Sequence, residues 1–373
     1  MSLARASTQA LVGLACVAVV SYAVAERSVQ PVHASAYKAK LEAVRLMQRA
    51  EQAIAEAKRQ RGITVDTRND PGGRGVIGPQ FSLITTDRGS QAAKSLAAHP
   101  NFSAAVTQML LEAGVREGDL VAVGMTGSLP GLNLAVLSAC RAIRCEPIVI
   151  TSIGSSMFGA NDPEMTWLDM EDVTSAKGLW PFHSVAASLG GGGDVGRGLS
   201  PAGRQLLVDA AQRHHAELLD QPTVLDAVKA RVAIYDSIAK VRGKPIKVYV
   251  NVGGGIASLG GSQNGRLIPP GLTRRLARHS YPNRGVLNVL ADRGLPVIHL
   301  LQVQKLARAY DIVDEAGNPA KDGKGLLFVR LRYNLWVTGA AAALLLALNF
   351  LVLRMDLRHK ILGQPHPEER TIA

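Results

Sequence analysis

Apolar positions in this chain follow three patterns, and each predicts a different element. Within 118–161, two short continuous apolar runs, 120–123 and 147–150, flank a stretch, 129–143, whose Leu132, Ala135, Val136 and Ala139 recur at three- and four-residue steps. Runs this short and this apolar are the habit of strands buried on both faces, as in parallel sheets. A parallel pair needs a crossover, for which a helix is usual. The pattern therefore predicts a βαβ unit, and with it an α/β fold: a mostly parallel sheet with flanking helices. The first strand runs into Gly124 and the second into Thr151 and Ser152.

The second pattern is apolar sequence without interruption by charge. Residues 10–25 (ALVGLACVAVVSYAVA) follow a short n-region, 1–9, that holds Arg5. At roughly 1.5 Å per residue they make a helix of about 24 Å, short for a bilayer core of roughly 30 Å. The segment ends Ala23-Val24-Ala25, so both an uncleaved anchor and a cleaved signal segment fit. Residues 335–353 (LWVTGAAAALLLALNFLVL) reach about 28 Å and carry Trp336 near one end, which predicts a transmembrane helix before a polar tail, 354–373. The chain thus reads as an α/β domain bracketed by two membrane helices, in a cell membrane, with both termini inside and the large domain outside.

The third pattern is amphipathic. Leu41, Val44, Met47, Ala50 and Ile54 make one face of a long helix over 36–61, with Lys38, Glu42, Arg45, Glu56 and Lys58 on the other, which predicts a stalk or packing helix within 26–62 and an α/β domain over 63–330. Further helices are expected at 87–98 and 102–113, the latter capped by Asn101. Another is expected at 162–173, begun by Asp162 and Pro163, with Glu164, Asp169, Glu171 and Asp172 forming a solvated acidic face. Helices also follow at 220–239, 285–293 and 303–309, and strands at 247–251 and 295–301, the last containing His299.

Glycine clusters punctuate this order. The stretch 188–198 (SLGGGGDVGRG) reads as a loop with open backbone: either its N–H groups wrap an anion, or it is a hinge. Gly253, Gly254 and Gly255 follow the 247–251 strand at once, where the backbone can approach a ligand or a neighbouring helix. Turns that leave the carboxyl edge of one sheet come together there, where α/β proteins bind ligands. The candidate ligand residues are accordingly Thr126, Gly127, Ser128, Ser155, Ser156, Asn161, Asp194, Asn251, Gly253, Gly254 and Gly255. To these the most basic segment, 265–284, adds Arg274, Arg275 and Arg278.

Composition sharpens the ligand class. The formal net charge is +12, which favours polyanions or anionic headgroups. Nucleic acid is not expected, because the arginines are scattered and no basic helix carries interleaved aromatics. Cys16, Cys140 and Cys145 include no CxxC pair, so no structural zinc and no other metal is expected. Gly124, Gly127 and Gly131 do not make G-x-G-x-x-G, and no acid follows the second strand, so no nucleotide cofactor is expected. No G-x-S-x-G elbow occurs, and the sequence sets none of His183, His214, His215 and His299 beside a nucleophile.

Four strings, GDLVAVGMTGSLPGLNLAVLSACRAI, EPIVITSIGSSMFGANDPEMTWLDME, SVAASLGGGGDVGRGLSP and YVNVGGGIASLGG, resemble the bacterial poly-gamma-glutamate system proteins. The resemblance runs from about the first apolar segment to the second. It implies participation in making or exporting poly-γ-glutamate, a polyanion capsule material, alongside the membrane ligase of the same system. The resemblance assigns no catalytic residue. The partners expected are this polymer or its fragments, the ligase subunits and the lipid bilayer. The alternative is a hydrolase or transferase on the same polymer, using Ser128, Ser155 or Asp194.

Overall fold

The computed structural model describes residues 8–277 and 280–361, which fall into two compact units: Ser35–Phe328, and a terminal unit from the described parts of Met1–Ala34 and Val329–Ala373. In the larger unit one sheet of seven strands runs in the order Gly271–Thr273, Val297–Leu300, Ile246–Val252, Leu120–Thr126, Glu146–Ser152, Ser184–Ser188, Glu217–Leu218. Every neighbouring pair is parallel except Gly271–Thr273 on its edge, which is antiparallel. The expected βαβ unit is its centre, with Pro130–Ile143 as the crossover helix.

The chain winds outward from Leu120–Thr126 to Glu217–Leu218, then returns to the opposite side of the same strand as Ile246–Val252. Loops that leave the carboxyl ends of these two neighbours lead to different halves of the sheet and open a crevice between them. Alternation along the strands sends Leu120, Ala122, Ile148, Ile150 and Tyr249 into one core, with Val228, Val232 and Tyr235 of the helix Val224–Arg242. Val121, Val123 and Val149 are equally buried on the other side, so both faces of the sheet are covered and the fold is doubly wound.

The helix expected as a stalk or packing helix, Tyr37–Gln60, packs within the α/β unit on Pro130–Ile143 and Asn101–Glu112. Its apolar stripe is buried as the period requires, but its polar face is not all wet. Lys40 Nζ donates to Gln108 Oε1 (2.8 Å) and to the Leu327 carbonyl (3.0 Å), and Lys58 Nζ donates to the Ile77 carbonyl (3.3 Å). Long side chains can sink beside apolar neighbours when their tips find an acceptor.

The helix expected over 162–173 starts later, as Trp167–Ala176. Pro163 and Glu164 turn a small hairpin, Asn161–Asp162 against Met165–Thr166, and Thr166 caps the helix with Asp169 closing the capping box. A reciprocal Thr-x-x-Asp pair satisfies two backbone donors, more than the Asp-Pro start offers. Asp169 and Glu171 are buried rather than solvated, Glu171 accepting from Trp167 Nε1 (2.8 Å), the Ser184 N–H (3.0 Å) and Ser184 Oγ (2.9 Å). Likewise Asn101 does not cap its helix from outside. It lies in the first turn, where its Oδ1 accepts from the Gly323 N–H (2.8 Å).

In the terminal unit, Gln30–His33 pairs antiparallel with Val329–Arg332, and the helices Thr8–Arg27 and Leu335–Ile361 lie side by side. Within them Gln9–Arg27 and Leu335–Arg354 are long and apolar enough to cross a membrane, and almost none of either is buried in protein. The Asn334 N–H donates to the Ser28 carbonyl at 3.3 Å, so the end of the first helix meets the start of the second and the two run antiparallel.

Candidate functional site at the switch point

Where Leu120–Thr126 and Ile246–Val252 end, a cavity of about 430 Å³ opens. Its floor is Thr126, Ser128 and the turn Gly253, Gly254 and Gly255; its sides are Ser152, Ser156, the glycines 190–192 and the segment 86–94. Gly253 sits at φ 87°, and a Cβ there would fall 2.3 Å from Thr126 Oγ1, so only glycine lets this turn close on the strand beside it. Thr126 Oγ1 is buried beside the cavity and has no hydrogen-bond partner among the described residues. A buried hydroxyl left in that state costs about 1–3 kcal/mol, which a ligand acceptor or donor would recover.

The cation of the site is Lys94, on the short helix Gln91–Ala97 that Ser90 caps. It is only 6% exposed. Its Nζ donates to the Ser128 carbonyl and to Ser156 Oγ (2.8 Å), and it makes no ion pair among the described residues. Burial pushes its pKa down to about 8. Its place depends on two close approaches. Gly131, in the first turn of the crossover helix, lets the Ala97 carbonyl come within 2.6 Å of where a Cβ would be. The pair Thr85–Asp87 with Ser155–Ser156 then sets Ser156 opposite Asp87.

Of the residues expected from sequence, Thr126, Ser128, Ser156, Gly253, Gly254 and Gly255 line this cavity. The others near it act from behind. Gly127 donates its N–H to the Ser152 carbonyl (2.9 Å) and ties two strand ends together. Ser155 is fully buried, its Oγ bound to the Ser156 carbonyl (2.8 Å). Asn161 braces the loop before Thr85, donating to the Pro79 carbonyl and to Thr85 Oγ1, both at 2.9 Å. Asn251 donates to the Gly253 carbonyl and to His299 Nδ1, both at 2.9 Å, and so holds the glycine turn. His299, pushed down to about 4 by burial, is a neutral partner in that contact.

Asp194 differs most from expectation. It does not face a ligand: it is 2% exposed and paired with Arg231 at 2.8 Å. Ser152 Oγ (3.1 Å) and Ser188 Oγ (2.9 Å) donate to its other oxygen. Asp194 itself is left-handed at φ 68°, and the bridges Gly190–Val195 and Gly192–Arg197 close the loop around it. The glycine-rich loop is therefore pinned rather than hinged, and its glycines reach the cavity because their carboxylate neighbour is anchored below. Arg274 and Arg275 are exposed just beyond the edge strand Gly271–Thr273 and do not line the cavity; Arg278 lies outside the described residues.

Lys94 is the residue that sequence reading passes over. A lysine in a polar-looking helix reads as solvated, and its partners lie 34 and 62 positions away.

A wider cleft of about 1090 Å³ lies beside Asp169, His214, Arg213 and Arg61. Its charges satisfy one another: Asp169 contacts His214 Nε2 (2.9 Å), Arg213 (3.3 Å) and Arg61 (3.6 Å) while capping its helix. Burial alone would raise the Asp169 pKa, but bonds from His214 and Thr166 and the Arg213 charge bring it down to about 2. A carboxylate depressed on folding adds stability above its unfolded value, and that stability is lost as pH falls from about 4 to about 2. Acid titration of the fold is expected to lose about 2 kcal/mol in that window, and Asp169→Asn to abolish that share; denaturant melts at pH 5 and pH 2.5 measure both.

No protein-family model, no curated protein and no solved structure matches the chain. Its class therefore rests on the fold and the site: a doubly wound α/β protein with a lysine-bearing cavity at the switch point, joined to two apolar helices.

Proposed function

We propose that this protein is a membrane-anchored accessory component of poly-γ-glutamate synthesis or export, and that its switch-point cavity takes a carboxylate of the polymer or of a fragment. One observation carries the reading: among the described residues Lys94 is a buried cation without a carboxylate partner, and it lines the same cavity as Thr126, whose hydroxyl has no partner among them. Buried charges are normally paired, so a site that leaves one unpaired is built for a charge brought by a ligand. Ser128 and the backbone of the glycine turns add donors suited to oxygen-rich anions. The net charge of +12 draws a polyanion toward the surface, and the resemblance of the quoted strings to poly-gamma-glutamate system proteins points to the same polymer. The membrane ligase of that system is the partner this reading requires.

The antiparallel apolar helices support an anchor that enters and leaves on one side. Both connections to the α/β unit leave from the end where Ser28 meets Asn334, so a bilayer crossing would put both termini on one face and the α/β unit on the other. A reporter fused after Ala373 is expected to be active only inside the cell; activity only outside would refute the hairpin.

The binding reading is tested by titrating the full-length protein in detergent with γ-linked glutamate oligomers, and with their methyl esters as neutral controls. Binding of the acid form alone is expected, weakening at least several-fold between 0.05 and 0.5 M salt (about 14 to 4 Å screening length), because exposed charge is screened over roughly a Debye length. Equal binding of acid and ester would sink it.

A further inference from the structure

In the same cavity the cation touches a hydroxyl that can react. Lys94 Nζ lies 2.8 Å from Ser156 Oγ, and its second contact, to the Ser128 carbonyl, fixes the amine in place. Ser156 is half-buried and faces the cavity. Its backbone is held twice: its N–H donates to Ser128 Oγ at 3.0 Å, and its strand pairs with Thr85–Asp87. A serine hydroxyl becomes a nucleophile when an adjacent base takes its proton, and the pair must lie within about 2.6–3.2 Å. Lysine can be that base when an apolar, uncompensated setting keeps part of it neutral near working pH. Burial does this to Lys94, which is held down to about 8. The other charged side chains lining the cavity are Asp87 and Arg88, both exposed, and neither pairs with Nζ.

We propose that Ser156 is an acyl-transfer nucleophile and Lys94 its general base, acting on an amide whose acyl portion carries a free carboxylate. The inference rests on the cavity being the carboxylate-ligand site described above. Neutral Lys94 takes the Ser156 Oγ proton as Oγ adds to the amide carbonyl carbon. The carbon–nitrogen bond then breaks, and the departing amine takes the proton from the Lys94 ammonium. Water, or a second amine in a transfer, attacks the Ser156 ester while Lys94 again carries the proton. Ser156 regains its hydroxyl, and the product leaves as a carboxylic acid or a new amide. No metal or redox partner enters the balance. Ser155 and Asp194, which the sequence also offered, are buried away from the cavity and have no such base.

The test uses full-length protein in detergent, γ-linked glutamate oligomers as substrate, and a fluorophosphonate as serine-reactive probe. Shortening or re-linking of the oligomers is expected, with probe mass on the peptide that contains Ser156. kcat should climb with pH as Lys94 loses its proton, and KM should climb too, as the charge that holds the carboxylate is lost. Ser156→Ala should lower turnover at least about 100-fold. Probe labelling of the unaltered protein reads the nucleophile directly, whether or not that variant folds. Oligomer binding without shortening, re-linking or labelling would overturn the acyl-transfer proposal and leave the binding reading standing. Labelling of a different serine would overturn the assignment of Ser156. Absence of oligomer binding would overturn the reading of the cavity itself.

Discussion

Replacing Asp194 by alanine is expected to lower the stability of the α/β unit by about 3–5 kcal/mol, the largest effect of any single substitution considered for this protein. The carboxylate sits 2.8 Å from Arg231, with both side chains almost completely buried. Removing it leaves a guanidinium in the interior with only the Ser188 and Ser152 hydroxyls (2.7 and 3.4 Å) and the Ala227 carbonyl (3.3 Å) around it. Those neutral acceptors do not replace a counter-charge. The double change Asp194→Ala with Arg231→Met should recover most of the loss, because removing both charges also removes their desolvation cost. Denaturant unfolding of the three variants in detergent measures this, and a loss below about 1 kcal/mol for Asp194→Ala would contradict the buried pairing. Ligand binding should fall with stability in the single variant, since the anchored loop supplies the glycines 190–192 to the cavity wall.

Lys94→Met is expected to act in the opposite sense: binding lost, fold retained. A charge-assisted hydrogen bond is worth about 1.5–3 kcal/mol, so affinity for a γ-linked oligomer should fall about 10- to 100-fold. Folding pulls the lysine from its ordinary value of 10.5 to about 8. The folded form therefore favours the neutral amine, and stability falls as pH drops from about 10.5 to about 8 and stays at that lower level below it. Methionine fills a similar volume and removes that charge cost, so the melting temperature at pH 7 should not fall. In the unaltered protein, affinity should be full below about pH 8 and decline as pH rises through it, because the cation that meets the carboxylate is lost. Calorimetric titrations at pH 7 and pH 9.5, with a thermal melt of each protein, check both halves. Unchanged affinity in Lys94→Met would remove Lys94 from the site.

Other parts of the molecule carry less. The exposed pairs, such as Arg144 with Glu117 and Arg293 with Asp236, are worth little against solvent and salt. The buried Cys140 and Cys145 are free thiols, and the hydrogen bond between them together with burial holds the Cys140 thiol well above its usual range. Both behave as small apolar residues of the crossover region.

What the sequence determined by itself was whatever depends on local period. Apolar runs of four residues around a helical stripe place the two central strands and their crossover, because a strand buried on both faces has no polar position to spare. Glycines after strands mark the turns, because the conformation there suits few residues. Uninterrupted apolar length marks the two terminal helices. The tertiary structure alone decided which polar residues are buried and with whom. Asp194 meets Arg231 and Lys94 meets Ser156 only after distant segments pack, and Tyr37–Gln60 becomes part of the core by the same packing. A charged residue reads the same in sequence whether water or a buried partner surrounds it. Its role is set by desolvation and pairing, which exist only once strands and helices from opposite ends of the α/β unit have closed around it.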